Sequence, residues 1–215
     1  MKNFLLLLSV FVLLTSCGSD PAPDSGSDTD ATTTPAAPDE TFLIRPGTGM
    51  GVFSDQMNGE QLKKLLGSNR CQASDFYVGE GESLPGLTLY PGTREEVEVL
   101  LDEDGMPIMY RLQKADSKWA TADGLKVGST LQELEKINGK PFKFMGFDWD
   151  YGGTVTNWED GTLADKDFML VLTYAGEPTF AEADLAKIMG EQEVMSNDPV
   201  LAKYSIIVEQ IIQRY

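Results

Sequence analysis

The sequence predicts an α+β fold made of two related halves, each a short helix followed by antiparallel strands. Two observations lead to this prediction. Residues 58–67 and 130–139 align without gaps, and each carries the signals of a short capped helix. Both segments are followed by stretches in which apolar and polar residues alternate, as they do in half-buried strands. We place the two halves at residues 42–119 and 120–215.

The two aligned segments are predicted to be helices because both ends of each are marked. Asn58 and Thr130 can cap a helix, and Gln or Glu follows three residues later, which is capping-box spacing. Each segment closes on a glycine, which suits the left-handed position after a helix. The apolar faces are Leu62, Leu65 and Leu66 in the first helix and Leu131, Leu134 and Ile137 in the second. Helices this short are unstable alone, so both must pack on a sheet.

The sheet is predicted from alternation and from turn residues. Residues 95–101 and 106–112 alternate around Asp102-Glu103-Asp104-Gly105, a sequence that favours a hairpin turn. Further strands are predicted at residues 142–147, 151–157 and 168–174.

The C-terminal region contains two further predicted elements. Residues 179–190 are predicted as a third helix, because Thr179 and Glu182 have capping-box spacing. Residues 205–215 are predicted as a final strand, because Ile and Val favour strands. A helix is the alternative there, since Ile207, Ile211 and Ile212 also have helical spacing.

Residues 128–141 carry a resemblance to two families. The predicted helix in this stretch is preceded by Gly-Ser-Thr and followed by Gly-Lys-Pro. This pattern is similar to that of SmpA/OmlA lipoproteins of the outer-membrane barrel assembly machinery. It is also similar to the tandem-repeat β-lactamase-inhibitor fold. Ser129 stands where the SmpA pattern has Met, and the first copy lacks the proline. Residues 138–154 also resemble uncharacterised lipoproteins of Bacteroidota-type bacteria. These resemblances imply an α+β repeat fold in the cell envelope.

The N-terminus predicts a lipoprotein signal peptide over residues 1–16. Lys2 precedes an apolar run from Phe4 to Leu14, which is too short to span a bilayer as a helix. Leu-Thr-Ser-Cys then resembles the lipobox of bacterial lipoproteins. The resemblance implies that Cys17 is acylated, becomes the first mature residue and anchors the chain in a lipid bilayer. Gly18 in the next position implies the outer membrane by the enteric pattern.

Residues 17–41 are predicted to be the lipidated cysteine and a flexible acidic linker. From Gly18 onward this stretch holds six acidic residues, no basic residue and four prolines. It cannot bury enough apolar surface to offset the entropy of ordering. Because Cys17 would be consumed by lipid, Cys71 has no partner for an intramolecular disulfide. We predict that Cys71 is buried, with an exposed thiol as the alternative.

Composition excludes several classes of function. The chain has no histidine, so it can hold neither a Ser-His-Asp or Cys-His relay nor an imidazole zinc site. Its 34 acidic and 17 basic residues leave a net charge of −17, which argues against a nucleic-acid partner. We expect a protein that is not an enzyme, with no catalytic residues, no cofactor and no metal.

The candidate contact site lies in residues 142–167, where aromatic and acidic side chains are interleaved. The candidate residues are Trp149, Tyr151, Trp158, Asp148 and Asp150. Aromatic rings beside carboxylates suit a glycan or a protein partner, and paired carboxylates also serve glycoside hydrolysis. The alternatives are a strand pair whose aromatic residues fill the core, and calcium binding at acidic turns that lack the full loop pattern.

The function expected from these features is that of a membrane-anchored envelope lipoprotein with a binding or scaffolding role. Its partner would be an envelope protein or a glycan. One alternative is an inhibitor of a secreted or periplasmic enzyme, which the fold resemblance implies. The other is a carboxylate-dependent glycan-active enzyme.

Overall fold

The structure is a computed structural model that describes residues 39–79 and 81–215. The predicted signal peptide, Cys17 and the linker up to residue 38 lie outside the described residues and stay predictions. Within the described residues, no helix is long and apolar enough to cross a membrane.

The fold is of the α+β class, as predicted, and residues 39–79 and 81–215 contain three helices and three sheets. The helices are α1 (Gly59–Leu66), α2 (Leu131–Asn138) and α3 (Glu182–Ile188). The strands are β1 (Leu43–Arg45), β2 (Gly49–Met50), β3 (Cys71–Gly79), β4 (Glu82–Leu89), β5 (Val97–Leu101), β6 (Pro107–Leu112), β7 (Ala120–Thr121), β8 (Lys143–Met145), β9 (Val155–Asn157), β10 (Met169–Tyr174), β11 (Glu193–Met195) and β12 (Ile206–Arg214). Short 3₁₀ turns at Glu40–Phe42 and Leu201–Lys203 complete the elements.

The capping boxes predicted for α1 and α2 are confirmed. The Gln61 amide donates to Asn58 Oδ1 over 3.0 Å, and the Asn58 amide donates to Gln61 Oε1 over 2.9 Å. The same reciprocal pair joins Thr130 and Glu133 at the start of α2. The apolar face of α1 is narrower than predicted: Leu65 is 47% exposed, so the helix packs through its other leucines.

The capping box predicted for the third helix is wrong. This helix begins only at Glu182, after Ala181, and no side chain caps it. Asp184 in its first turn instead accepts hydrogen bonds from Lys203 Nζ and from the Tyr204 hydroxyl, over 2.8 Å each. A side-chain contact with a distant segment therefore holds this helix in place, where a local cap was expected.

The largest sheet has six antiparallel strands in the order β10-β12-β6-β5-β4-β3. The hairpin β5–β6 is confirmed, and Asp102 Oδ1 shapes its turn by accepting from the amides of Asp104 and Met106. Residues 206–214 form a strand and not the alternative helix, because β12 pairs with both β10 and β6. The sheet thus contains strands from both predicted halves, residues 42–119 and residues 120–215.

The hairpin β3–β4 was not predicted from the sequence. Its strands hold Gly86 and Pro85 and alternate poorly, features that argue against a strand. Gly86 has a packing reason: a Cβ there would overlap the carbonyl oxygen of Val99 on β5 and would lie 2.7 Å from the Phe76 ring on β3. The absence of a side chain at Gly86 lets β4 pack closely against its neighbours.

The core lies between this sheet and the helices. Its largest fully buried side chains include Trp119, Tyr110, Phe53, Phe142 and Phe144. Cys71 is buried, as predicted, and burial raises the pKa of its thiol. The parallel pairing of β1 with β7 brings the N-terminal strand into the same core.

We expect Gly153→Ala to lower the free energy of unfolding by at least about 2 kcal/mol. The φ of Gly153 is 75°, and a Cβ would overlap the carbonyl oxygen of Leu172 on β10. Left-handed backbone costs a non-glycine residue about 1 kcal/mol, and overpacking adds about 1–3 kcal/mol. Gly176→Ala is the matched control, with φ 70° and no atom near its Cβ position. If urea denaturation gave equal losses in the free energy of unfolding for the two variants, the close contact between Gly153 and Leu172 would be contradicted.

We expect the Asp184–Lys203–Tyr204 contact to stabilise the fold in a pH-dependent way. The hydrogen bonds from Lys203 and Tyr204 lower the pKa of Asp184 from its ordinary value of 3.8. The stabilisation is therefore complete above that value and is lost as the pH falls through the lowered pKa. Asp184→Asn should lower the melting temperature at pH 7, and the difference from the unsubstituted protein should shrink in acid. Exposed Glu182→Gln, on the same helix, should leave the melting temperature unchanged.

Candidate functional site

The turn between β8 and the start of β9 presents the central residues of the predicted site. Phe147 enters the core, and Asp148 takes the left-handed conformation with φ 63°. The Trp149 indole donates to the carbonyl of Gly146 over 2.8 Å, and the Gly152 amide donates to the carbonyl of Trp149 over 2.9 Å. These bonds fix the backbone of the turn. We call residues 147–153 the aromatic turn.

The aromatic turn holds one exposed ring against one half-buried ring. Trp149 and Tyr151 meet edge to face, with ring centroids 5.3 Å apart and planes at 70°. Tyr151 is 65% exposed, whereas Trp149 is half-buried. Edge-to-face packing restricts the Tyr151 side chain before any partner arrives, so little rotamer entropy remains to be lost on binding.

The two predicted acidic residues of the turn differ in their contacts. The Tyr174 hydroxyl donates to Asp148 Oδ1 over 2.8 Å, and this bond raises the pKa of Tyr174. Asp150 is exposed and makes no side-chain hydrogen bond to the described residues. Asp148 therefore ties the turn to β10, while Asp150 remains open to solvent.

A row of aromatic rings continues from the turn to α3. Tyr174 packs on Phe147 at 5.8 Å and on Phe180 at 5.0 Å between ring centroids. Phe180 packs in turn on Tyr204 at 4.6 Å. Sequence analysis missed Tyr174, Phe180 and Tyr204 as parts of this site. They are distant in sequence from the aromatic turn, and no local signal links them to it.

Trp158 occupies a different environment from the turn. Its ring packs on Phe142 at 5.0 Å and on Phe168 at 6.4 Å, and its carbonyl accepts from the Asn138 amide group. Within residues 39–79 and 81–215, no ring pair joins Trp158 to Trp149 or Tyr151. The structure brings together four of the predicted contact residues and leaves Trp158 apart, half-buried against the core.

The other aromatic residues of the segment fill the core, which was the alternative considered for it. Phe142 and Phe144 are fully buried, and Phe147 is 3% exposed. In the part of the chain that the structure describes, no group of three or more Asp, Glu or Cys side chains could hold a metal ion. The acidic turn at Asp102 uses its carboxylate to bind backbone amides.

Comparison with known proteins yields little. No protein-family model matches the sequence, and no curated protein matches it. The crystal structure of the uncharacterized protein YfeY from Escherichia coli is similar to this chain, with a TM-score of 0.46 and 16% sequence identity. That similarity covers 78% of this chain and 97% of the other.

We expect Asp148→Asn to lower the pKa of Tyr174. The carboxylate favours the protonated phenol that donates to it, and the neutral amide removes the charge that opposes phenolate formation. An NMR titration of ¹³Cζ-labelled tyrosine, with Tyr174→Phe for assignment, would measure the pKa. Asp150→Asn is the control and should leave the pKa of Tyr174 in place. A lowered pKa in both variants, or in neither, would refute a specific bond from Tyr174 to Asp148.

Proposed function

We propose that the protein is a cell-envelope lipoprotein, anchored in the outer membrane through acylated Cys17, that binds a partner without catalysing a reaction. Its folded part would consist of two related halves at residues 42–119 and 120–215. The lipobox-like sequence supports the anchor, and the paired capping boxes of α1 and α2 support the relation between the halves. A linker over residues 17–41 would join the anchor to the fold.

The observation that carries the binding role is the exposed Tyr151 ring held against Trp149. Large aromatic side chains dominate the binding energy of protein interfaces, and pre-ordered ones lose the least entropy. Exposed Asp150 adds a carboxylate beside this ring. We infer that the aromatic turn contacts a protein of the envelope.

The contacts of Asp148 favour binding over glycoside hydrolysis. A hydrolase needs two carboxyl groups that flank the bond to be cleaved, one of which gives or takes a proton. Here Asp148 accepts the hydrogen bond from Tyr174 and joins the turn to β10. We infer that this carboxylate has a structural part in presenting Tyr151.

We expect Cys17→Ala to abolish acylation. Metabolic labelling with palmitate should mark the unsubstituted protein and leave the variant unlabelled, and the variant should separate from membranes on fractionation. Cys71→Ala is the matched control and should be labelled normally, since the Cys71 thiol is buried. Normal labelling of the Cys17 variant would refute the anchor.

We expect Tyr151→Ala to weaken partner binding by about 2 kcal/mol, roughly 30-fold, which is typical of an interface hot spot. A photo-crosslinking amino acid at position 151 should capture a defined envelope protein in cells, and purified components would then give the affinity. Tyr77 is the matched control, because it is 64% exposed on the β3–β4 hairpin.

Equal capture from positions 151 and 77 would contradict a specific contact at the turn. Turnover of a cell-wall glycan that is lost in Asp148→Asn or Asp150→Asn would favour the enzymatic alternative. Inhibition of a captured enzyme would favour the inhibitor alternative.

A further inference from the structure

Two adjoining depressions lie on either side of Lys166 and Phe168. The first, of about 240 Å³, is bounded by β1, by the residues after β7 and by Leu163. The second, of about 230 Å³, is lined by Lys166, Asp167, Phe168, Met169, Ile212 and Arg214. Lys166 and Phe168 line both. We call them the apolar pocket and the cationic pocket.

The apolar pocket is walled by Leu43, Pro46, Leu163 and Phe168. Its one arginine, Arg45, is paired with Glu40 over 2.7 Å. Lys166 is thus the cation of this pocket that has no acidic partner within the described residues. Arg45, Asp123 and Lys166 are the charged residues of the lining, and the rest of it is mostly apolar. A mostly apolar pocket with an unpaired cation suits a ligand that is apolar with one anionic end.

The cationic pocket holds two basic side chains without partners. Within residues 39–79 and 81–215, neither Lys166 nor Arg214 forms an ion pair or a side-chain hydrogen bond, and both are exposed. Eight of the other basic side chains pair with acids. Asp167 is the acidic residue of this pocket, and it lies close to the turn at Gly47. Residues 42–215 carry 28 acidic and 16 basic residues, so two unpaired cations at one pocket run against the overall charge.

The floor of the cationic pocket is apolar. Ile212 is 5% exposed on β12, and Met169 and Phe168 are half-buried beside it. An arginine and a lysine above an apolar floor match a phosphate or carboxylate group, since guanidinium and ammonium groups donate charge-assisted hydrogen bonds to such oxygens.

We propose that these pockets form one binding site for a single anionic amphiphile. Its phosphate or carboxylate group lies between Lys166 and Arg214, and its alkyl chain passes Phe168 into the apolar pocket. The ligand is either a membrane phospholipid or a free fatty acid, which share this chemistry. The site is independent of the aromatic turn and of the proposed partner.

The test uses the folded protein and four probes: octyl phosphate and octanoate below their micellar concentrations, octanol below its solubility limit, and inorganic phosphate. Binding is measured by calorimetry and by the NMR shift of the Met169 methyl group. Octyl phosphate and octanoate should bind and should shift the Met169 signal. Octanol and inorganic phosphate should each bind at least about tenfold more weakly, because each lacks one half of the ligand. Dihexanoyl-phosphatidylglycerol and octanoate distinguish the two sources of the ligand. Tighter binding of the first would indicate a phospholipid, and tighter binding of the second would indicate a fatty acid.

Three variants locate the ligand. Lys166→Gln and Arg214→Gln should each weaken octyl phosphate binding by about tenfold or more, since each removes a charge-assisted hydrogen bond. Ala122→Trp, at an exposed position in the wall of the apolar pocket, should weaken octyl phosphate by a similar factor and leave inorganic phosphate unchanged. Lys136→Gln, an exposed lysine on α2 that lines neither pocket, is the control.

The proposal is overturned if octanol binds as tightly as octyl phosphate, or if Lys136→Gln weakens binding as much as Lys166→Gln does. Unchanged affinity in Ala122→Trp would also overturn it, because the chain would then lie outside the apolar pocket. Circular dichroism and thermal melts of each variant establish that the fold is retained, and only variants that melt like the unsubstituted protein are compared.

Discussion

The fold depends on the insertion of β12 between β6 and β10. This strand pairs with β6 through residues such as Ile211 opposite Leu112, and with β10 through residues such as Val208 opposite Leu172. Buried backbone amides and carbonyls need hydrogen-bond partners, and β12 supplies them to both β6 and β10. Without it, β10 would be detached from the sheet, and the short β1–β7 pairing would be the ladder left between the two parts of the described chain.

The register shift in the β10–β12 ladder links this constraint to the candidate site. The shift falls between Val171 and Leu172, and such irregularities bend a strand and re-aim its side chains. At this point the Leu172 amide donates a hydrogen bond to the Gly153 carbonyl, and this bond holds the aromatic turn against β10. Tyr174, two residues further along β10, then reaches Asp148. The presentation of Tyr151 therefore follows from strand pairing in the main sheet.

Charge is distributed unevenly over this acidic fold. Eight of the 16 basic side chains in residues 42–215 form ion pairs, such as the half-buried Arg111–Glu98 bridge across β6 and β5. Among the side chains that form no ion pair within the described residues are Asp150 at the aromatic turn, and Lys166 and Arg214 at the cationic pocket. They carry opposite charges, which suits two surfaces with different ligands.

What the sequence by itself determined is local. The caps of α1 and α2 and the β5–β6 turn were predictable, because each depends on residues a few positions apart. At residues 205–215 the sequence left strand and helix open, and pairing with β10 and β6 decided for the strand. The start of α3, the β3–β4 hairpin and the aromatic row were not. Asp184 with Lys203, Phe76 over Gly86, and Phe180 with Tyr204 meet only after the sheet has formed. For the candidate site, composition identified Trp149, Tyr151 and Asp148, but only the tertiary structure separated them from the core residues Phe142 and Phe144 and from Trp158. The physical reason is that burial and pairing depend on contacts between residues distant in the chain, whereas capping and turn formation do not.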